Sequence, residues 1–340
     1  MQIYYTLAKN IILSMVSPKH EPTSTHSSNI LLFYFGASSS DTVLYATNST
    51  QQSNHSIQIN HALPGDVIRN FASYLGAKEL AKFGLTCRAL GWTVDIVAQQ
   101  IILTSQTDQD RRALPRYGTE SWVKYYREYE KFRSPLTFDQ IIGMDIHHEG
   151  GTRNCVVLEE GDTHNWSTAI SNQIMRGQGK HYATFNKSGQ GEIRVGIIRP
   201  INGLGWRGMT EFSPFLAHTT SEDQRLREME ALQGERTDNW GNSNIHCCMI
   251  EAKIRICASC DWESDVTWDD LEGVEALRDD CTFGMLLDLD EGTLTVYQDG
   301  QPLCQLKEGL TGEYCWATTM WKWDEGSSRV MIDKGQSPMH

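Results

Sequence analysis

Residues 282–306 read TFGMLLDLDEGTLTVYQDGQPLCQL. Phe283–Leu289 is almost continuously apolar, as a strand covered on both faces is. Glu291-Gly292 marks a turn, and Thr293–Gln298 then alternates: Leu294 and Val296 share one face, with Thr293, Thr295 and Tyr297 on the other. Asp299-Gly300 is a strong hairpin signal, because a type I′ turn needs positive φ at both central residues. Pro302 has no N–H to give to a ladder, which suits an edge or a strand entry. The stretch is a meander of three short strands, and no catalytic motif is needed to explain it.

The same reading extends outward. Cys155–Leu158, Gly179–Phe185 (GKHYATF), Glu192–Arg199 (EIRVGIIR), Ile250–Ile256 (IEAKIRI), Gly312–Trp321 (GEYCWATTMW) and Ser328–Ile332 are strand candidates. Many short strands at close spacing imply a β-sandwich or barrel. Ser221–Gln233 reads as a helix between them.

The 340 residues leave room for about two domains. The net charge of −13 is uneven: residues 134–340 hold 17 basic and 33 acidic residues, whereas 61–133 hold 11 and 8. An acidic C-terminal domain repels phosphate backbones, so no nucleic-acid partner is expected. Nine scattered cysteines fit a reducing compartment, cytoplasmic and/or nuclear, better than a disulfide scaffold. No apolar run reaches the length of a membrane span; the longest candidate, Ile30–Phe35, is far too short, and no membrane partner is expected.

Residues 1–60, rich in Ser, Thr, Asn and Gln, read as a mostly disordered leader. From Leu63 the spacing turns helical. Pro64 suits a first helical turn, Val67, Ile68, Phe71, Tyr74 and Leu75 follow, and Gly76 can end the helix. A second helix is expected over Lys78–Leu90 and a third over Trp92–Leu103. Residues 105–118 read as polar and turn-rich. Thr119–Arg133 reads as a connector helix with Thr119 as N-cap and an aromatic stripe of Trp122, Tyr126 and Tyr129.

The segment LPGDVIRNFASYLGAKELAKFGLTCRALGW, from Leu63 to Trp92, resembles an F-box in Leu63-Pro64, Val67-Ile68, Phe71, Leu75, Leu80, Leu85 and Cys87-Arg88. That resemblance implies docking on the adaptor subunit of a cullin-RING ubiquitin ligase through Leu63, Pro64, Val67, Ile68, Leu75, Leu80 and Leu85. An ordinary helical hairpin is the alternative. Downstream, the order GKHYATF, RVGIIRP, FGMLLDLDEGTLTVYQDGQPL, GLTGEYCWATTMWKWDEGSSRVMI is similar to a SPRY domain over about 200 residues. It implies a mainly β, twisted antiparallel sandwich that recognises proteins through loops at one side. Ala183 and Thr184 depart from the bulkier residues common there, and Pro200–Asp261 is longer than the usual connection.

The organisation expected is a leader (1–60), an F-box-like module (61–104), a linker with a helix (105–135), a SPRY-like sandwich (136–333) and a tail (334–340). The function expected is substrate recognition for an SCF-type ligase, with a protein substrate of unknown identity. A SPRY scaffold without a ligase role and a carbohydrate-binding or carbohydrate-active sandwich are alternatives. Trp206, with Arg199 and Arg207 nearby, is the expected substrate-binding group, against the alternative that these residues pack the long insertion. Cys257-Ala258-Ser259-Cys260 with His246, Cys247 and Cys248 has zinc-like spacing, but Cys257 continues the strand alternation and there is no second CxxC, so buried thiols are the better explanation and no metal is assigned. Asp261–Asp280, with nine acidic residues and one basic, reads as a solvated acidic loop. The chain lacks GxSxG, GxxxxGK[ST] and HExxH, so neither catalytic residues nor cofactors are expected.

Overall fold

The computed structural model describes residues 30–33, 44–47, 69–70, 72–85, 88–159, 165–189, 191–202, 205–206, 208–215, 221–251, 253, 255–263, 266–271, 280–321 and 326–336. Leu63, Pro64, Val67, Ile68, Phe71, Cys87 and Arg207 lie outside them. They divide between two compact units, residues 1–105 with 120–127, and residues 106–119 with 128–340.

In the first unit, β1 (Ile30–Phe33) pairs antiparallel with β2 (Leu44–Thr47). This corrects part of the leader reading: four apolar residues, too few to span a membrane, are enough for a strand. Helix α1 (Ala77–Gly84) and α2 (Arg88–Ser105) follow. Leu75, Leu80, Val94, Val97 and Ala98 form their core, with Phe83, Ile101, Trp122, Val123 and Tyr126 packed against it. The expected boundary near Gly91 is wrong. The chain turns after Gly84, and Gly91 lies inside α2, 3.5 Å (from an added Cβ) from the Gly84 carbonyl. A Cβ on Gly84 would lie 2.7 Å from a Val94 methyl, so both glycines serve the close approach of α1 and α2.

Residues 108–113, expected to be turn-like, form α3 (Asp108–Ala113) with a capping box: Asp110 N–H donates to the Thr107 hydroxyl and Thr107 N–H to the Asp110 carboxylate. Helix α4 (Trp122–Arg133) starts later than expected, with Ser121 in place of Thr119 accepting from the Lys124 N–H at 3.2 Å. Residues up to Arg127 belong to the first unit and those from Glu128 to the second.

The second unit is a sandwich of two antiparallel sheets, each of seven strands among the described residues. Its strands are β3 (Phe138–Ile142), β4 (Ile146–His148), β5 (Cys155–Leu158), β6 (Ser167–Ser171), β7 (Lys180–Ser188), β8 (Glu192–Ile198), β9 (Cys247–Glu251), β10 (Ile256–Cys260), β11 (Thr267–Asp270), β12 (Cys281–Asp288), β13 (Thr293–Gln298), β14 (Gln301–Lys307), β15 (Cys315–Trp321) and β16 (Ser328–Asp333). One sheet has the order β11-β10-β9-β8-β15-β6-β3 and the other β14-β13-β12-β7-β16-β5-β4. The fold is mainly β with helices preceding the strands, as expected. The meander pairs in order, Leu294 and Val296 are fully buried, and β14 with Pro302 is an edge strand. Asp299 and Gly300 have φ of 53° and 76°, the left-handed pair that a type I′ turn requires.

Between the sheets, Val195, Ile197, Cys248, Ile250 and Trp316 meet Phe185, Phe283, Met285, Leu287 and Val330. Phe185 stacks on Phe283 at 5.9 Å and meets Trp316 edge-on at 5.9 Å. Each such side chain contributes about 1.5–3 kcal/mol by burial. The expected single strand Ile250–Ile256 is instead the turn of a hairpin: Cys247–Glu251 pairs with Ile256–Cys260, and Arg255 takes φ 60°. The apolar alternation of IEAKIRI continues through a turn whose flanking strands extend outward on both sides.

Gly196 on β8 lies against β9, where an added Cβ would meet the Cys248 carbonyl oxygen at 2.0 Å and Met249 Cα at 2.7 Å. Backbone cannot yield as a side-chain tip can. Gly196→Ala is therefore expected to lower stability by at least ~2 kcal/mol, read as a lower urea midpoint. An unchanged midpoint would contradict this packing.

Candidate functional site

Strands β6, β8, β9 and β15 are buried almost throughout, so their sheet has two apolar faces. The outer face presents Ile198, Cys247, Met249, Ala258, Cys315 and Ala317. The long insertion covers it, with Ile201, Trp206, Phe212, Phe215, Leu232 and Trp240, and Trp262 closes the layer. Leu232 comes from α5 (Glu222–Gly234), which Ser221 caps by accepting from the Gln224 N–H at 3.2 Å. Trp262 Nε1 donates to the Pro214 carbonyl at 2.9 Å, and Gln233 Nε2 donates to the Trp262 carbonyl at 2.6 Å.

Two arginines are part of this architecture. Arg199 is fully buried: Nη1 donates to the carbonyls of Thr311 (2.8 Å) and Glu313 (2.9 Å), Nη2 donates to that of Ser243 (3.2 Å), and the guanidinium lies 4.0 Å from the Tyr314 ring centre. Burial lowers its pKa to about 10, so it stays charged at neutral pH. The expectation that Arg199 binds substrate is corrected: the side chain is fully buried and both Nη groups donate to backbone carbonyls. Arg194 is buried among Trp166 (4.4 Å), Trp268 (4.9 Å) and Phe215 (5.5 Å), and pairs with Glu192 and with Glu251 (3.3 Å). Sequence reasoning passed over this cage, because Trp166, Arg194 and Trp268 converge only across three strands.

The cysteines fill cores. Cys248 and Cys257 face the inner core with sulfurs 3.6 Å apart, whereas Cys247 and Cys260 belong to the outer cluster. The four thiols therefore sit on opposite faces of one hairpin and do not converge. Burial pushes the Cys247 thiol well up, and the Cys257 hydrogen bond followed by burial does the same for Cys248.

Trp206 is 4% exposed, so it is a wall of the interior and not a projecting anchor. It does line a cleft of about 450 Å³. Gly205, Trp206 and Met209 form one side, with Gln224, Arg227, Glu228, Ala231 and Glu235 on the other. Glu228 Oε1 accepts from Gln224 Nε2 at 3.0 Å, and Glu235 Oε2 accepts from the Asn202 N–H at 3.0 Å. Arg227 Nε donates to the Asp223 carbonyl at 3.0 Å. Trp206 Nε1 is buried and has no hydrogen-bond partner among the described residues. Of the acidic 261–280 stretch, residues 264–265 and 272–279 lie outside the described residues; Asp269 on β11 pairs with Lys307 at 3.2 Å.

In the helical unit, Leu75 and Leu80 are core residues, 8% and 0% exposed, so they can act on a partner only by shaping the surface. Leu85 is 86% exposed, Trp92 74% and Tyr74 58%.

Among solved structures, the chain is similar to the SPRY domain of human HERC1, at 11% identity and a TM-score of 0.36, covering 59% of this chain and 98% of that one. It is also similar to the TRIM65 PSpry domain, at 15% identity and a TM-score of 0.34, covering 58% and 89%. A third likeness is to the carbohydrate-binding module CBM66 from Bacillus subtilis, at 7% identity and a TM-score of 0.31, covering 58% and 92%. No protein-family model and no curated relative matches the sequence.

Three buried groups give the sandwich a definite pH response. Burial lowers His181 and His246 to about 4 from the ordinary 6.5. Between those values the unfolded chain binds more protons, so this contribution to stability is lost as pH falls from 6.5 toward 4. Glu251 acts oppositely: burial, then Glu192, raises it to about 7 from 4.5, so stability falls as pH rises across that interval. His181→Phe is expected to flatten the acid-side slope by up to ~1.4 kcal/mol per pH unit, and Glu251→Gln to remove the opposing slope between 4.5 and 7. Urea unfolding from pH 4 to 8 tests both; identical slopes for wild type and His181→Phe would contradict a buried neutral ring.

Proposed function

We propose that the chain is a non-catalytic substrate receptor of an SCF-type ubiquitin ligase. The helical unit docks on the F-box adaptor subunit, and the SPRY-like sandwich binds the protein to be ubiquitinated. The observation that carries the docking half is the exposure of three large apolar side chains, Leu85, Trp92 and Tyr74, on a unit whose helical core is formed by other residues. Large apolar side chains left in water on a small unit favour an interaction surface, and Leu85 is one of the F-box-like positions. The sandwich half is supported by the order of its strand motifs and by its architecture, two packed sheets with loops at their ends. Such a receptor raises the effective concentration of substrate lysines near a charged conjugating enzyme and orients them. Its place of action is the cytoplasm or nucleus, where the adaptor would be met.

The test uses the full chain with recombinant adaptor. Leu85→Asp changes a side chain that is 86% exposed, so stability from urea unfolding should move by no more than ~0.5 kcal/mol, while adaptor affinity falls at least tenfold. Leu63→Asp with Ile68→Asp should also abolish binding. No adaptor binding by the wild type, or equal binding by Leu85→Asp, would remove the ligase role.

A further inference from the structure

We infer that the cleft lined by Gly205, Trp206 and Met209 on one side and by α5 on the other is a pocket for a basic side chain, arginine or lysine, presented by a protein partner. The inference rests on the reading of the sandwich as a protein-interaction domain and assigns that reading a site. The cleft's volume of about 450 Å³ lies within the range of small-ligand pockets. Trp206, Met209 and Ala231 supply apolar walls that suit the methylene stem of such a side chain. Glu228 and Glu235 supply two carboxylates, and neither pairs with a cation among the described residues: one accepts from a neutral amide side chain and the other from a backbone N–H. Among the described residues lining the cleft, two carboxylates stand against one guanidinium, that of Arg227. The charge of Glu228 reaches beyond the cleft: burial first, and Glu228 in addition, raises the carboxyl of Glu211.

A carboxylate pair beside an indole suits a cation, because ring and anions attract it together. Trp206 also keeps a buried indole N–H without a partner among the described residues. Residues 134–340, with 33 acidic and 17 basic residues, draw basic segments toward the domain before contact. The cleft belongs to the Pro200–Asp261 insertion, so its specificity is this chain's own.

The experiment is fluorine NMR of the full chain carrying 5-fluorotryptophan, with the Trp206 signal assigned by its loss in Trp206→Phe. The probes are the N-acetyl methylamides of arginine, lysine, leucine and glutamate. Arginine and lysine probes should shift the Trp206 signal saturably and bind at least fivefold more tightly than the leucine or glutamate probes. Ala231→Trp, at an exposed helical position, should fill the cleft and abolish the shift with the circular dichroism unchanged. Glu228→Gln with Glu235→Gln should weaken the basic probes at least fivefold. No saturable shift, equal binding of the leucine probe, or a shift that survives Ala231→Trp would overturn the inference. Adaptor binding is scored on the same preparations: adaptor binding without basic-probe binding overturns the pocket alone, and the reverse overturns the receptor reading alone.

Discussion

A sheet that is apolar on both faces cannot stop at a two-layer sandwich. The strands β6, β8, β9 and β15 bury one face against the opposing sheet, through Val195, Ile197, Ile250 and Trp316. Their other face, through Ile198, Cys247, Met249 and Ala317, needs a second cover. Leaving it in water would cost about 25 cal/mol for every Å² of apolar surface. The insertion answers that requirement with four aromatic side chains from its own loops, a turn of α5 and Trp262. The rest of the domain follows from it: where the cleft lies, why tryptophans accumulate in loops, and why the insertion is long.

The third layer also explains the buried charges. A layer made of loops brings backbone carbonyls into the interior, and these need donors. Arg199 supplies them to Thr311, Glu313 and Ser243, tying the insertion to the loop before β15. Arg194 holds the far side of the same face, with its charge shared by Glu192 and Glu251 and its planes covered by Trp166 and Trp268. Replacing one partner of such a network leaves the others buried without compensation, which is costlier than the net value of the network itself.

Much of the sandwich was legible because its signals are local. Asp299-Gly300 names its turn type, Leu294 and Val296 name their face, and Ser221 announces a helix. The Thr107-x-x-Asp110 box was equally local and was simply passed over. What local pattern cannot carry is the second cover. Arg199 beside Trp206 in sequence resembles a recognition pair, yet Arg199 reaches residues more than a hundred positions away. The continuous apolar runs of β8 and β15 were the available signal, since strands exposed on one face alternate and these do not. The sequence suggests a helix break between Leu90 and Trp92 for a related reason: a glycine that lets helices approach, as Gly91 does, and one that ends a helix look the same in one dimension.

The proposed basic-side-chain pocket depends on the insertion being a folded layer of the domain. Amide hydrogen exchange tests this most directly, comparing the wild type with a variant in which residues 222–234 are replaced by a Gly-Ser segment of equal length. The account predicts that Ile193–Ile198 and Cys315–Met320, on strands remote in sequence from the replaced helix, lose most of their protection. Unchanged protection in those two strands would contradict it and would reduce the insertion to an appendage on a sandwich complete without it.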